Sequence, residues 1–330
     1  MEIKEVRLER ELNKVIEFLD SCDLLYEKGI DKTLYMEDSG KIIATISKEG
    51  STIKCLAVDK DSREDNLAST LVSAMINLMY QEGIYHIMVY TKIIYLNLFK
   101  SLGFKEIVST DKTTILETKT DSIESVIKKI RYQIESRFNI NVESEKINAV
   151  VINANPFTNG HLHLVEEARK NADYLLCFLL EEDKSYYSFK ERMTLAYLAT
   201  QCYENVMVIP STKYIISNLT FPTYFLKEKD IKNHEWMLTD ALIFKNYFMK
   251  LLNIRYRFVA KETDEVMVLY NNTLKEVLND KLVEIDRLDN ISASMVRNLV
   301  KDNKINEALD YIPQQIKQTF RLLSLEKSHE

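Results

Sequence analysis

Apolar positions recur along this chain in two different arrangements, and the change falls near residue 147. Over residues 9–19, Leu12, Val15, Ile16 and Leu19 return every three to four positions and predict an amphipathic helix. Runs at 33–36, 42–46 and 53–58 are separated by Asp38-Ser39-Gly40 and Glu49-Gly50-Ser51, and predict the strands of a meander. A helix is expected over 67–81, with Leu71, Ala74, Met75 and Leu78 facing inward. A strand at 87–90 follows, then a short helix over 97–102 that Gly103 closes with a left-handed cap. Residues 122–137 read as a charged helix linking two halves.

Beyond Ile147 strands and helices alternate. The strand at 149–152 is apolar on both faces, 160–170 is helical, 174–180 is a second unbroken apolar strand, 186–203 is mostly helix, and 206–209 is a third strand. A helix at 236–252, a strand at 257–260, a helix at 270–278 and a strand at 282–285 extend the series, with helices from Ser294 onward. Strands apolar on both faces in a βα series imply a doubly wound parallel sheet. The fold class is therefore α/β: an N-terminal α+β domain over 1–121, a helical linker over 122–145, and a Rossmann-like parallel-sheet domain over 146–330. Trp236, and Phe244, Tyr247, Phe248 and Leu251 at helical spacing, read as packing.

Composition narrows the function classes. The 330 residues are 46% hydrophobic and 28% charged, which suits a folded chain of two domains. The net charge of −6 and the absence of a basic block give no sign of nucleic-acid binding. Cys22, Cys55, Cys177 and Cys202 form no C-x-x-C pair and no cluster with histidine, so no metal site is expected; Cys55 and Cys177 sit in apolar runs and read as small buried hydrophobes. Free cysteines, no apolar leader and no run of membrane-span length point to a cytoplasmic protein. Glycine occurs six times and proline four, so each one carries local information.

The chemistry concentrates in Asn153-Ala154-Asn155-Pro156-Phe157-Thr158-Asn159-Gly160-His161, between the first parallel strand and its helix. In an open α/β sheet ligands bind at the carboxyl ends of the strands, and the free N–H groups of a helix start face an anion there. Gly160 lets the backbone approach a phosphate, His161 can donate to its oxygens, and Thr158 adds a hydroxyl. A bare Thr-x-Gly-His could equally be a helix cap with a surface histidine. A second element changes that balance. In Ile291-Ser292-Ala293-Ser294-Met295-Val296-Arg297, Ser292 or Ser294 can cap the last helices, and Arg297 would project beside that helix start as a second phosphate grip. Lys184 and Arg192 could reach the same ligand, although solvated or salt-bridged roles suit them as well.

These two segments resemble the His-x-Gly-His and Ile-Ser-x-(Ser/Thr)-x-x-Arg signatures of the nucleotidyltransferase superfamily, with Thr158 in the first histidine position. Together with Leu164-Val165-Glu166-Glu167-Ala168 and the segment Tyr214-Ile215-Ile216-Ser217-Asn218-Leu219-Thr220-Phe221-Pro222-Thr223-Tyr224-Phe225-Leu226-Lys227, they look like the [citrate (pro-3S)-lyase] ligase family over nearly the whole chain. The first half is similar to a GNAT acetyltransferase fold, in Ile53-Lys54-Cys55-Leu56-Ala57-Val58, Tyr90-Thr91-Lys92 and Leu98-Phe99-Lys100-Ser101-Leu102-Gly103-Phe104. It departs from working acetyltransferases at Arg63-Glu64-Asp65-Asn66-Leu67-Ala68, which lacks the glycines of their pyrophosphate loop. A second departure is Phe258-Val259-Ala260-Lys261-Glu262-Thr263, where the family tends to carry Gly-x-Glu-Pro.

The resemblance implies an ATP-dependent acetate:thiol ligase that forms acetyl-adenylate, releases AMP and pyrophosphate, and acetylates the dephospho-CoA-type thiol on the acyl carrier subunit of citrate lyase. It implies ATP as substrate, Mg²⁺ bridging the phosphates, and acetate and the carrier subunit as partners, with no nucleic acid and no membrane. It places Asn153, Asn155, Pro156, Phe157, Thr158, Gly160, His161, Ser292, Ser294 and Arg297 at the nucleotide, with His161, Thr158 and Arg297 catalytic. The alternatives are a tRNA cytidine acetate ligase-like enzyme, which should carry a basic RNA surface, and a GNAT-type N-acetyltransferase with an accessory nucleotide-binding domain.

Overall fold

Residues 2–181, 185–216, 221, 224–226, 229–288 and 291–327 are described by a computed structural model, with the backbone alone for 63–65 and 229–232. The chain divides into two units, Met1–Val126 with Phe221–Thr239, and Ile127–Thr220 with Asp240–Glu330.

In the first unit the elements run β1 (Ile3–Glu5), α1 (Glu9–Ser21), β2 (Lys32–Asp38), β3 (Lys41–Glu49), β4 (Thr52–Val58), α2 (Leu67–Gln81), β5 (Met88–Lys92), α3 (Leu96–Ser101), β6 (Lys105–Ser109) and β7 (Thr113–Glu117). They build a seven-stranded mixed sheet in the order β1-β2-β3-β4-β5-β7-β6. The inward stripe Leu67, Leu71, Val72, Met75 and Met79 of α2 packs on Leu34, Ile46, Ile53 and Val89 of the sheet. All pairs are antiparallel except β4 and β5, which are joined only at Thr52–Met88 and Ile53–Val89 and then part. Tyr224 is buried against the parted end of β5: its hydroxyl donates to the Tyr90 carbonyl at 2.6 Å, and its own carbonyl accepts from Leu25 N–H at 2.8 Å. Beside it lies a cavity of about 270 Å³, lined among others by Ala57, Thr91, Tyr95, Tyr224 and Phe225.

The linking helix α4 (Ile123–Phe138) leads into the second unit. There β8 (Ile147–Ile152), α5 (Asn159–Arg169), β9 (Tyr174–Leu179), α6 (Phe189–Thr200) and β10 (Val206–Pro210) form the first βα series. After α7 (Lys229–Ile243) come β11 (Ile254–Ala260), α8 (Glu265–Leu278) and β12 (Leu282–Ile285). The chain then closes with α9 (Ala293–Lys301), α10 (Ile305–Ala308) and α11 (Lys317–Lys327). All five strands are parallel, in the order β10-β9-β8-β11-β12. The order reverses at β8, so the crossovers from β8 and β11 leave in opposite directions and open a crevice at their carboxyl ends. The continuous apolar character of β8 and β9 follows from burial on both faces. On one face lie Val165, Ala168, Leu195, Ala199 and Val296. On Phe178 pack Phe244 and Phe248, stacked on each other at 5.6 Å. Those two rings sit in one wide π-turn, Phe244–Met249, that continues α7.

The fold is thus the expected mixed α/β pair, a seven-stranded mixed sheet and a five-stranded all-parallel sheet. The differences lie in detail. Strands β1, β6 and β7 were not expected from the pattern, and α7 begins before Trp236, which is buried as packing. Cys55 and Cys177 are fully buried, and burial pushes both thiols up to about 12. Among the described residues no helix is long and apolar enough to cross a membrane.

Candidate active site

From Ile152 the chain turns through residues 153–158 into α5, and three buried contacts hold that turn. Arg192 of α6 is fully buried. Its Nη1 donates to the carbonyls of Asn153 (2.8 Å) and Leu180 (2.9 Å) and to Oδ1 of Asn153 (3.0 Å), and its Nε donates to the Tyr187 carbonyl (3.2 Å). The Tyr187 N–H donates to Oδ1 of Asn155 at 3.0 Å. From α9, Nη1 of Arg297 donates to the Asn155 carbonyl. Between these anchors Ala154 is held at φ +49°, a region that a residue with a Cβ enters at a cost, and the Asn155–Pro156 peptide is cis. A positive φ at alanine persists where its surroundings over-determine it, as the arginine and tyrosine contacts do here.

Thr158 is the N-cap of α5. Its hydroxyl is buried and lies 2.8 Å from Nδ1 of His161, and its N–H donates to the same nitrogen at 3.0 Å. A backbone N–H can only donate, so Nδ1 is an acceptor and the neutral ring carries its proton on Nε2. Packing around the ring, which includes Phe157 at 5.5 Å between centroids, desolvates it; together with the positive charge of Arg287 this lowers the imidazole to about 4. At neutral pH His161 is therefore an uncharged Nε2–H donor. Phe157 and Pro156 point away from solvent and shape the turn from beneath, while Asn153, Gly160 and the edge of His161 remain accessible.

The second motif arrives beside the first. Ser292, not Ser294, caps α9, accepting from Met295 N–H at 3.1 Å. Ser294 is exposed and accepts from Nη2 of Arg297 at 2.8 Å. A Cβ built on Gly160 would lie 3.7 Å from the Ile291 carbonyl, so the two helix starts, with Arg297 between them, stand side by side at the carboxyl edge of the sheet. Two helix N-termini, an Nε2–H donor and a guanidinium converging on one edge form an anion-binding arrangement. Among the described residues no group of three or more histidine, cysteine, aspartate or glutamate side chains is gathered to hold a metal ion.

Other expectations are changed by the geometry. Arg192 is buried rather than solvated, and its Nε and Nη1 donate to backbone carbonyls of the turn. Its place on the stripe with Leu195, Ala196 and Ala199 was the available signal. Tyr187 was also missed; it is fully buried, with its hydroxyl 2.7 Å from Ser324 in α11. Residues 261–263, which lack the family's glycine and proline, instead present Glu262 to Arg287 at 3.0 Å. Lys184, the side chains of 63–65, and 217–220, 222–223 and 227 of the aromatic segment lie outside what is described.

Residues 147–321 match the family described as citrate lyase ligase C-terminal domain. The [citrate [pro-3S]-lyase] ligase of Escherichia coli is 32% identical over 93% of this chain and 90% of its own length. The chain belongs to the citrate lyase ligase family. The ligases of Haemophilus influenzae (29% identical, covering 92% of this chain and 93% of that protein) and Klebsiella pneumoniae (28%, covering 90% and 88%) are similar at comparable length. Among solved structures, the ribosomal-protein-S18-alanine N-acetyltransferase of Escherichia coli matches 36% of this chain and 93% of its own, at 16% identity and TM-score 0.30. An acyl-CoA N-acyltransferase of Pseudomonas aeruginosa matches 36% and 99%, at 12% identity and TM-score 0.31.

Proposed function

We propose that this chain acetylates the prosthetic-group thiol on the acyl carrier subunit of citrate lyase, using ATP and acetate and passing through acetyl-adenylate. The observation that supports this most directly is the convergence of the His161 turn and the Ser292–Arg297 helix start at one edge of the parallel sheet. An acetate oxygen attacks the α-phosphorus of ATP, the bond to the bridging oxygen breaks, and pyrophosphate leaves. The carrier thiol then loses its proton, its sulfur attacks the acetyl carbon, and the carbon–oxygen bond to AMP breaks.

In this reading Nε2–H of His161 donates to the phosphate oxygen on which charge grows, and Thr158 holds the ring in the tautomer that can do so. Ser292, Ser294 and Arg297 take the departing pyrophosphate. Asn153, Asn155, Pro156 and Phe157 set the course of the turn, and the bare Cα of Gly160 leaves room for the phosphates. Mg²⁺ travels on the triphosphate and no side chain is assigned to it. Catalysis is then positioning and charge neutralisation more than covalent work by the protein. The site is placed in the cytoplasm. We read the first unit as not a working acetyltransferase, because residues 63–68, where the pyrophosphate loop would lie, carry no glycine.

Incubating the protein with ATP, acetate, Mg²⁺ and deacetylated carrier subunit tests the whole reaction. Mass spectrometry should show one acetyl group gained on the prosthetic thiol, with AMP formed in equal amount. Acetylation that proceeds without ATP, or only with acetyl-CoA, contradicts the reading.

A further inference from the structure

Two charged residues at the same edge belong to neither motif. Glu262 lies two residues beyond β11 and Arg287 two beyond β12. These strands are parallel neighbours with Ala260 opposite Ile285, and Lys261 N–H donates to the Ile285 carbonyl at 2.9 Å, so the chain emerges from both side by side. There Nη1 of Arg287 meets Oε2 of Glu262 at 3.0 Å, each side chain being partly exposed. The contact uses one nitrogen and one oxygen; among the described residues the other N–H groups of Arg287 make no hydrogen bond. Four residues further on, Ile291 lies beside Gly160, and Ser292 caps α9. Arg287 therefore emerges at the strand ends four residues before Ile291, and its charge acts on His161.

A partly exposed guanidinium with N–H groups to spare, at the strand ends that lead to the α9 start, suits an anion bound at this edge. A single-point, partly exposed ion pair is weak and readily exchanged, whereas a guanidinium binds phosphate oxygens through two parallel bonds. We propose that Arg287 is a further phosphate-binding residue of this site, held on Glu262 in the empty protein and transferred to the phosphates of the nucleotide when ATP enters. The inference rests on the reading of this edge as an ATP site. It also gives Glu262 a role as competitor: its carboxylate must be displaced for Arg287 to engage, so the pair sets how tightly nucleotide is held.

The test is equilibrium dialysis of the full-length protein with labelled ATP and with pyrophosphate, with adenosine competition alongside and acetate-dependent pyrophosphate exchange as a separate assay. Arg287→Ala should weaken ATP and pyrophosphate about tenfold or more while leaving adenosine unchanged, and Arg287→Lys should fall between. Glu262→Gln should move the other way and tighten ATP about two- to fivefold, because the competing charge is gone. Unchanged ATP affinity in Arg287→Ala overturns the proposal. So does equal weakening of ATP and adenosine in both Arg287→Ala and Glu262→Gln, which marks a structural pair. Wild-type protein that binds ATP in this pattern but catalyses no exchange leaves Arg287 in place and sinks the acetate reaction. Wild-type protein that binds neither ATP nor pyrophosphate overturns both.

Discussion

At the residue scale the account turns on one proton. Nδ1 of His161 can accept from the Thr158 N–H, and so hold the ring with Nε2–H outward, only while the imidazole is neutral, and burial with the Arg287 charge lowers its pKa from 6.5 to about 4. The sign follows directly: the ring stays uncharged through the neutral range and gains a proton only on acidification through about pH 4. The unfolded chain takes up that proton near 6.5, so His161 draws stability from the fold as pH falls from 6.5 towards 4. NMR of ring-labelled protein should show a neutral Nε2–H tautomer from pH 8 down to pH 5; a titration near 6.5 refutes this assignment. His161→Ala should lower pyrophosphate exchange about a hundredfold or more and leave the fold intact by circular dichroism. Gly160 makes a complementary test. An added Cβ would meet Thr158 Oγ1 at 3.5 Å and the Ile291 carbonyl at 3.7 Å, which are ordinary contacts. Gly160→Ala should therefore melt like the parent yet raise the KM for ATP about tenfold, since only a ligand requires the bare Cα. A matched loss of stability would make the glycine structural. The Thr158–Gly160–His161 spacing was legible because it is local. The pairing of Arg287 with Glu262 was not, because it joins the ends of two strands with a helix between them.

At the scale of elements, the turn after β8 is a strained link tied down from α6 and α9. Arg192→Met should remove the donors of the Asn153, Leu180 and Tyr187 carbonyls, each buried orphan costing about 1–3 kcal/mol. Urea unfolding should then register a loss of about 3 kcal/mol or more, with exchange falling alongside; a loss under about 1 kcal/mol means the turn is held by something else. The parallel strands were legible because strands buried on both faces read as unbroken apolar runs, as in Leu175–Leu179. Strands β6 and β7 carry Lys105, Glu106, Thr113 and Thr114 among their apolar residues, and that mixture hid them. The π-turn at Phe244–Met249 was invisible because one wide turn preserves the apolar stripe that a helix shows.

At the scale of the molecule, local pattern reading meets its limit in the segment 221–239. It follows β10 in the chain but belongs by packing to the first unit, where Tyr224 is bonded to Leu25 and Tyr90. No periodicity encodes such a return, because it depends on which distant surface accepts an aromatic residue. The activity is placed instead in the second unit, where all the proposed phosphate contacts lie. The most direct test of that claim is acetate-dependent exchange of labelled pyrophosphate into ATP by the purified protein with Mg²⁺. Exchange that requires acetate and is lost in His161→Ala is the predicted result. No exchange, even with the deacetylated carrier subunit present, contradicts the formation of acetyl-adenylate at this site.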